Sequence, residues 1–133
     1  MNAALDRVRE GAKLLRSTAA ATRNRVLVVL ERKLLETEAE ILNVNRSDLG
    51  ILPKDASEAF RDRLTLNSER LRAMRESLRE VVALEDPVGE VVEERILKNG
   101  LRVRRMRSPL GVILMIFESR PNVAIEAFSL GLK

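Results

Sequence analysis

The sequence predicts an α/β fold in which a helical N-terminal segment and an antiparallel β-hairpin precede the first strand and helix of a parallel α/β domain. Three observations support this prediction. Apolar residues recur at helical spacing through most of the first 86 residues. Asn99-Gly100 separates two extended stretches, and the apolar run from Val112 to Phe117 is followed by a polar loop and a helical pattern.

The first two helices are predicted from apolar spacing. A first helix is indicated by Leu5, Val8, Ala12 and Leu15. Ser17-Thr18 can cap a second helix, which we expect to run from Ala19 to Asn43. Its centre, Val26 to Leu30, is apolar all round, so we expect burial on several sides, within a larger fold or against a partner.

A break, a short helix and a clear amphipathic helix follow. Residues 43–55 are rich in Asn, Ser, Asp, Gly and Pro, which predicts a break. A short helix is expected around Ser57 to Arg63. Asn67 is a good cap for the next helix, which Asp86-Pro87 ends. Its apolar side consists of Leu71, Met74, Leu78 and Val81-Val82.

The spacing of apolar residues then changes from helical to extended, which predicts a two-stranded ribbon. Asn99-Gly100 favours a two-residue turn with positive φ at both residues, and Arg104-Arg105 interrupts the alternation and suggests a bulge. The ribbon carries a basic stripe of Arg102, Arg104, Arg105 and Arg107. We expect it to pair with Glu90, Glu93 and Glu94 across the ribbon, although contact with nucleic-acid phosphates is an alternative.

Val112 to Phe117 is typical of a parallel strand covered on both faces, and residues 118–122 form a loop that opens a helix. A single buried strand cannot satisfy its own backbone groups. We therefore expect the chain to be the opening portion of a larger α/β protein, truncated in or just after its first crossover helix.

Composition excludes several kinds of chemistry. The 133 residues include no Cys and no His, so the chain supplies no thiol nucleophile, disulfide, imidazole base or thiolate or imidazole metal site. The net charge is +4, with acidic residues interspersed among the basic ones. The first residues lack the layout of a secretory signal and no apolar run approaches membrane-spanning length, so we expect a cytoplasmic protein that binds no membrane.

The segment Ser108-Pro-Leu-Gly-Val-Ile-Leu-Met-Ile-Phe-Glu-Ser-Arg-Pro-Asn-Val123 resembles the motif of the γ-glutamyl phosphate reductase (glutamate-5-semialdehyde dehydrogenase) family. Further similarity lies in Asp86-Pro-Val-Gly89, Asn99-Gly-Leu-Arg102, Asn43-Val-Asn45 and Asp48-Leu49. The resemblance covers essentially the whole chain. The family continues well beyond Lys133, and its catalytic cysteine lies in that further part.

The resemblance implies a branch of the aldehyde dehydrogenase superfamily that acts in proline biosynthesis. Such an enzyme uses NADPH to reduce L-glutamate 5-phosphate to the semialdehyde and phosphate, through a thioester on a cysteine. We expect the chain to be inactive alone and the complete enzyme to be a homo-oligomer that binds no nucleic acid. Residues 1–86 and 109–133 would belong to an NADPH-binding, Rossmann-like domain, and 87–108 to an oligomerisation hairpin.

The loop after the predicted strand holds the candidate site residues. Asn122 is a possible oxyanion donor, as the superfamily uses an Asn here, or a cap of the following helix. Arg120 can bind a substrate phosphate or carboxylate, or pair with Glu118 or Glu126. Phe117, Glu118 and Ser119 lie where a cofactor approaches a parallel strand. No metal ligands are predicted. Alternative functions are a nucleic-acid-binding basic hairpin and a helical dimerisation module.

Overall fold

The computed structural model describes residues 3–133, which form six helices and two strands. In chain order these are α1 (Ala3–Arg16), α2 (Ala20–Glu36), α3 (Glu38–Gly50), α4 (Glu58–Leu64), α5 (Ser68–Ala83), β1 (Val91–Ile96), β2 (Arg102–Met106) and α6 (Pro121–Leu132). The predicted order of a helical segment, an antiparallel hairpin and a helix is confirmed. The chain divides into two compact units, one with α1 and the hairpin (to Thr18, and Glu85–Ile113) and one with Ala19–Leu84 and Leu114–Lys133.

The core of the larger unit lies between α2 and α5. The buried cluster consists of Leu27, Leu34, Leu78 and Val81. These residues are seven apart on α2 and three apart on α5, so each helix turns a single face inward. Each fully buried Leu contributes about 1.5–3 kcal/mol relative to an exposed one. Ile125 and Leu132 of α6 pack against the same cluster, which fixes α6; this helix begins at Pro121, inside the loop predicted for residues 118–122.

An ion-pair network lies beside this core and joins the same two helices. Glu31 of α2 accepts hydrogen bonds from Arg79 Nη2 at 2.7 Å and from Arg75 Nε at 3.3 Å. The bond from Arg79 lowers the pKa of the Glu31 carboxyl below its ordinary value; desolvation opposes this, and Arg75 adds to it. Glu31 and Arg75 have side chains that are mostly shielded from solvent.

The apolar centre of α2 is buried on one side only within this chain. Leu27 is fully buried, whereas Val26, Val28 and Val29 are exposed. The N-terminal cap of α2 also differs from the predicted one. Ser17 and Thr18 hydroxyls donate back to the Leu14 carbonyl, and the N-cap position is Ala19, without a side-chain cap.

The predicted break at residues 43–55 is wrong over its first half, because α3 continues to Gly50. The predicted second helix is instead divided at Thr37, which lies between the end of α2 and the start of α3. Asn45, expected to oppose a helix, is buried in α3 and binds the backbone of the segment between α4 and α5. Its Nδ2 donates to the Leu64 carbonyl at 2.9 Å and its Oδ1 accepts from Leu66 N–H at 2.8 Å. Tertiary partners thus override its weak local helix preference.

The cap predicted for α5 is confirmed, and α4 also begins with a side-chain cap. Ser57 accepts a hydrogen bond from Phe60 N–H at the start of α4, and Asn67 accepts one from Arg70 N–H at the start of α5. The apolar side of α5 is buried as the spacing predicts. Its buried residues are Leu71, Met74, Leu78 and Val81. The helix ends at Ala83, three residues before the predicted stop.

The smaller unit contains the predicted ribbon, but its turn differs. Of the two residues Asn99 and Gly100, only Gly100 has positive φ (83°), so the predicted turn with both residues positive is wrong. The Leu97 carbonyl accepts from Gly100 N–H and the Leu101 carbonyl from Leu97 N–H, which gives a three-residue loop ending in a left-handed glycine. Asn99 Oδ1 accepts from Leu101 N–H, a role that requires no positive φ.

The bulge lies on the other strand from the one predicted. Val91 is opposite Met106 and Glu93 is opposite Arg105, so Val92 is the extra residue of β1. A tight turn from Pro87 to Glu90 leads into β1, and within this turn Gly89 has a φ of 88°. This positive φ at the third turn position is the one that favours glycine.

The predicted parallel strand at residues 112–117 is not formed. A strand is defined by hydrogen bonds to a neighbour, and within residues 3–133 the only strands, β1 and β2, pair with each other. The segment is extended in sequence pattern but exposes its side chains, with Leu114 82% and Ile116 87% exposed. The predicted following helix is confirmed as α6, while the Rossmann-like detail stays a prediction.

Candidate functional site

A polar cavity of about 370 Å³ lies within the larger unit, beside α4, α5 and the start of α6. We call it the arginine cavity. It is lined by Asp62, Arg63, Thr65, Leu66, Arg70, Ala73, Met74, Ser77, Arg120, Asn122 and Glu126. Three guanidinium groups and two carboxylates therefore meet here, together with one amide and two hydroxyls. Its volume lies in the range that small-molecule sites occupy. Two of the predicted site residues, Arg120 and Asn122, belong to this lining.

Arg70 binds the end of α4 and the turn between α4 and α5. Its Nη2 contacts Asp62 Oδ1 at 2.6 Å, and its Nη1 donates to the carbonyls of Asp62 and Thr65. The ion pair and the carbonyl bonds fix the end of α4 against the first turn of α5. Arg70 is therefore a positioning residue of the cavity wall, and its charge is matched by Asp62.

Asn122 is bound along α6 by its neighbour one turn further on. Its Nδ2 donates to Glu126 Oε1 at 2.9 Å. The alternative of a capping role is wrong, because Asn122 lies inside α6 and the N-cap residue is Arg120, without a side-chain cap. A primary amide carries two N–H donors, so the bond to Glu126 uses one and orients the other.

Arg63 and Arg120 are the remaining cations of the lining. Within residues 3–133, neither guanidinium has an ion pair or a hydrogen bond. In particular, Arg120 does not pair with Glu118 or Glu126, which was the alternative expected from sequence. Both side chains are largely exposed to solvent. Unpaired guanidinium groups that line a cavity favour anionic ligands, since their planar donor sets match carboxylate and phosphate oxygens.

The other three predicted residues lie in the loop before α6, outside the lining of the arginine cavity. Phe117 is 46% exposed, Glu118 is exposed, and Ser119 is half-buried. Ser119 has a φ of 54°, the only positive value among the non-glycine residues described. This left-handed conformation costs about 1–3 kcal/mol. Backbone N–H groups from 117 to 119 bind no other backbone group of residues 3–133.

These loop residues fit a nucleotide cofactor in chemical type. A hydroxyl and free backbone N–H groups suit ribose and phosphate oxygens, and an exposed aromatic ring suits an apolar contact with a base or nicotinamide ring. The residues are consecutive, and Phe117 and Glu118 are exposed while Ser119 is half-buried, which leaves the loop accessible to a ligand. Their role as cofactor ligands stays a prediction.

The basic stripe of the hairpin pairs with acidic residues, as predicted. Arg107 pairs with Glu90 at 2.7 Å, Arg105 with Glu93 at 3.7 Å, and Glu94 pairs with both Arg102 and Arg104. Every arginine of the stripe thus has a carboxylate partner within the ribbon. This pairing neutralises the charge that a nucleic-acid contact would require.

The smaller unit has a second cavity, of about 400 Å³, between α1 and residues 108–112. Arg9, Lys13 and Arg16 line it, but Arg9 and Lys13 pair with Asp6 and Glu10 of the same helix. Among residues 3–133, no group of three or more acidic side chains could hold a metal ion. The helices described in this range are all too short or too polar to cross a membrane.

Sequence reasoning missed Arg63, Arg70 and Ser77 as part of a cavity. Arg63 lies at the end of a short helix and Arg70 and Ser77 lie on α5, and none of them belongs to a motif. The available signal was the face of α5 on which Arg70 and Ser77 lie beside the buried Met74, at i, i+4 and i+7 spacing. That face could not be assigned a partner without the position of α6.

The chain is similar to known reductases over nearly its full length. It is 45% identical over 129 residues to a γ-glutamyl phosphate reductase of Koribacter versatilis, which covers 97% of this chain and 31% of that protein. The crystal structure of the Thermotoga maritima γ-glutamyl phosphate reductase matches 96% of this chain and 31% of that one, with 38% identity and a TM-score of 0.90. The Saccharomyces cerevisiae enzyme matches 94% with 29% identity and a TM-score of 0.89.

Fold and similarity together show that the chain matches about a third of the α/β fold of these reductases. The chain is homologous to the γ-glutamyl phosphate reductases, as the sequence motif suggested. It spans about a third of the length of the relatives that it matches. No protein-family model matches the chain.

Proposed function

We propose that the chain contributes the N-terminal part of an NADPH-dependent reductase that converts L-glutamate 5-phosphate to L-glutamate 5-semialdehyde and phosphate, in proline biosynthesis. The observation that carries this proposal is the similarity to γ-glutamyl phosphate reductases over 97% of the chain. The arginine cavity adds support, because it unites Arg120 and Asn122 beside unpaired positive charge. An acyl phosphate with a carboxylate end is an anion that such a cavity would attract.

The chain's own residues would bind and orient the substrate rather than attack it. The sequence has no cysteine, so a thiolate nucleophile must come from residues outside this chain. Asn122, oriented by Glu126, would place its second N–H at the oxygen of the attacked carbonyl, where negative charge develops. NADPH, when bound, supplies the hydride, and Phe117, Glu118 and Ser119 would contact it.

The proposal extends to the organisation of the complete enzyme. Residues 1–86 and 109–133 would belong to its cofactor-binding domain and residues 87–108 to an oligomerisation domain. We also propose that the complete enzyme is a homo-oligomer and that it lies in the cytoplasm. The paired charges of the hairpin agree with a role in protein contacts rather than in nucleic-acid binding.

A chimeric reductase tests the proposal. The aligned segment of the Koribacter versatilis enzyme is replaced by this chain, and the production of NADPH from semialdehyde, phosphate and NADP⁺ is followed by absorbance. We expect the chimera to be active and the 133-residue chain alone to be inactive. An inactive chimera with a native-like circular dichroism spectrum would refute the proposal, and turnover by the chain alone would refute the assignment of the nucleophile.

A further inference from the structure

The charges of the arginine cavity divide into matched and unmatched groups. Arg70 is matched by Asp62, whereas Glu126 accepts a hydrogen bond from the neutral amide of Asn122 and keeps its negative charge. Arg63 and Arg120 remain, each without an ion pair or hydrogen bond within residues 3–133. They come from separate elements, α4 and the N-cap of α6. The cavity therefore presents two separate anion-binding groups rather than one.

We infer that Arg63 and Arg120 bind opposite ends of one substrate, with Arg63 at the carboxylate of its amino-acid end and Arg120 at its phosphate. This inference rests on the proposed function and assigns Arg63 a role that its sequence position does not suggest. Ala73 and Met74 also line the cavity and would offer an apolar surface to the methylene groups of the substrate.

The assignment of the ends follows from Asn122. Arg120 lies two residues before Asn122, the proposed donor to the attacked carbonyl oxygen. In an acyl phosphate the phosphate is attached to that same carbonyl, so it must lie near Asn122 and hence near Arg120. The amino-acid end is then left for Arg63. Neighbouring Asp62 has its Oδ1 bound to Arg70, and its carboxylate is suited to the α-ammonium group beside that carboxylate.

Arg70 and Ser119 would keep the two ligand groups in place. Arg70 binds the carbonyls at the end of α4, the helix that carries Arg63. Ser119, in its left-handed conformation, directs the chain into α6 immediately after Arg120. We expect neither of them to contact the substrate.

Direct binding to the 133-residue chain tests the inference without catalysis. The probe is 2-amino-5-phosphonopentanoate, a stable amino acid with a phosphonate at its far end, titrated by NMR or calorimetry. Arg63→Gln and Arg120→Gln should each weaken its binding about tenfold or more, because each loses a charge-assisted contact. The matched control is Arg72→Gln, on the exposed surface of α5 outside the cavity. Equal affinity in Arg63→Gln and Arg72→Gln would overturn the inference.

Kinetics of the chimera assign the ends. In the direction of semialdehyde oxidation, the carboxylate enters as part of the semialdehyde and the phosphate enters as inorganic phosphate. Each group therefore has its own KM. Arg63→Gln should raise the KM for semialdehyde about tenfold or more and leave the KM for phosphate unchanged, and Arg120→Gln should do the reverse. Arg63→Lys should recover part of the loss, since it restores charge without the planar donor set. Effects on both substrates from either variant would contradict this assignment.

The two proposals fail in different ways. An inactive unsubstituted chimera refutes the proposed function. An active chimera whose KM values are unchanged by Arg63→Gln refutes only the inference about Arg63. Melting curves of all variants, compared with that of Arg72→Gln, separate a loss of binding from a loss of folding.

Discussion

The side chain of Asn45 binds the backbone of Leu66 with a donor–acceptor distance of 2.8 Å, and the same amide donates to the Leu64 carbonyl at 2.9 Å. One buried residue of α3 thus satisfies two backbone groups in the turn that precedes α5. That turn also contains the carbonyls that Arg70 binds. Asn45 therefore stabilises one wall of the arginine cavity from behind.

Asn45→Ala should lower the free energy of unfolding by about 2–4 kcal/mol, because two backbone groups lose their partners while remaining shielded from water. Urea denaturation followed by circular dichroism measures the change. Asn43→Ala is the control, as Asn43 is exposed on the same helix. An equal loss of stability in both variants would contradict the role assigned to Asn45.

Leu78→Ala should destabilise the larger unit by about 2–5 kcal/mol, because it opens a cavity at the contact of α2 with α5. Leu78 is 1% exposed, whereas Leu84, just after the same helix, is 54% exposed. Leu84→Ala should change the stability by less than about 0.5 kcal/mol. Thermal or urea unfolding of both variants checks the difference, and similar losses would place the core elsewhere.

Glu31 should make stability depend on pH. Its pKa is lowered in the folded chain, chiefly by the hydrogen bond from Arg79, so its contribution is complete above the ordinary glutamate pKa. The contribution is lost as the pH falls through the lower folded-state pKa. Glu31→Gln should therefore flatten the acid side of the stability profile, while Glu40→Gln, on the exposed surface of α3, should not. Identical profiles for the two variants would exclude the effect.

Gly100→Ala should weaken the hairpin by about 1–2 kcal/mol, since its φ of 83° is unfavourable for a residue with a Cβ. No atom lies within 4 Å of the position that this Cβ would occupy, so the cost is conformational and not steric crowding. Gly100→Asn should cost less, as Asn tolerates this region better. Cross-strand NMR contacts between Glu94 and Arg104 report the hairpin. Equal populations in the alanine and asparagine variants would argue against a conformational origin.

Asn122→Ala in the chimera should reduce kcat about 10²–10³-fold, the usual cost of removing one oxyanion donor. Its KM values should change much less, because the interaction forms mainly in the transition state. Leu130→Ala, which truncates an exposed residue of α6 outside the lining of the cavity, is the control for helix stability. A kcat equal to that of the control would remove Asn122 from the chemistry.

Local patterns predicted the elements whose causes are local. Asn67 caps α5 because its side chain reaches an N–H group three residues on, which spacing alone reveals. The cross-strand pairs of Arg105 and Arg107 follow similarly from the ribbon itself. In each case the interacting groups are set by a short stretch of chain.

The predictions that were wrong depended on distant partners or on fine geometry. Asn45 is helical because the end of α4 and the segment that follows it supply its hydrogen bonds, and no local pattern shows this. Asn99 has an ordinary backbone because its side chain binds Leu101 N–H. The strand at 112–117 requires a neighbouring strand that the described residues do not supply. Arg63 lines the cavity together with residues of α5 and α6, and the sequence does not show that these two helices lie side by side.

The exposed apolar segment at residues 112–117 has a consequence for handling the protein. It combines β-branched and long apolar residues without charge or proline, a composition that promotes intermolecular β-sheet association. Leu114 and Ile116 are each more than four-fifths exposed. Aggregation of the isolated chain should therefore begin here, and a lysine in place of Leu114 would act as a gatekeeper residue that keeps concentrated samples dispersed.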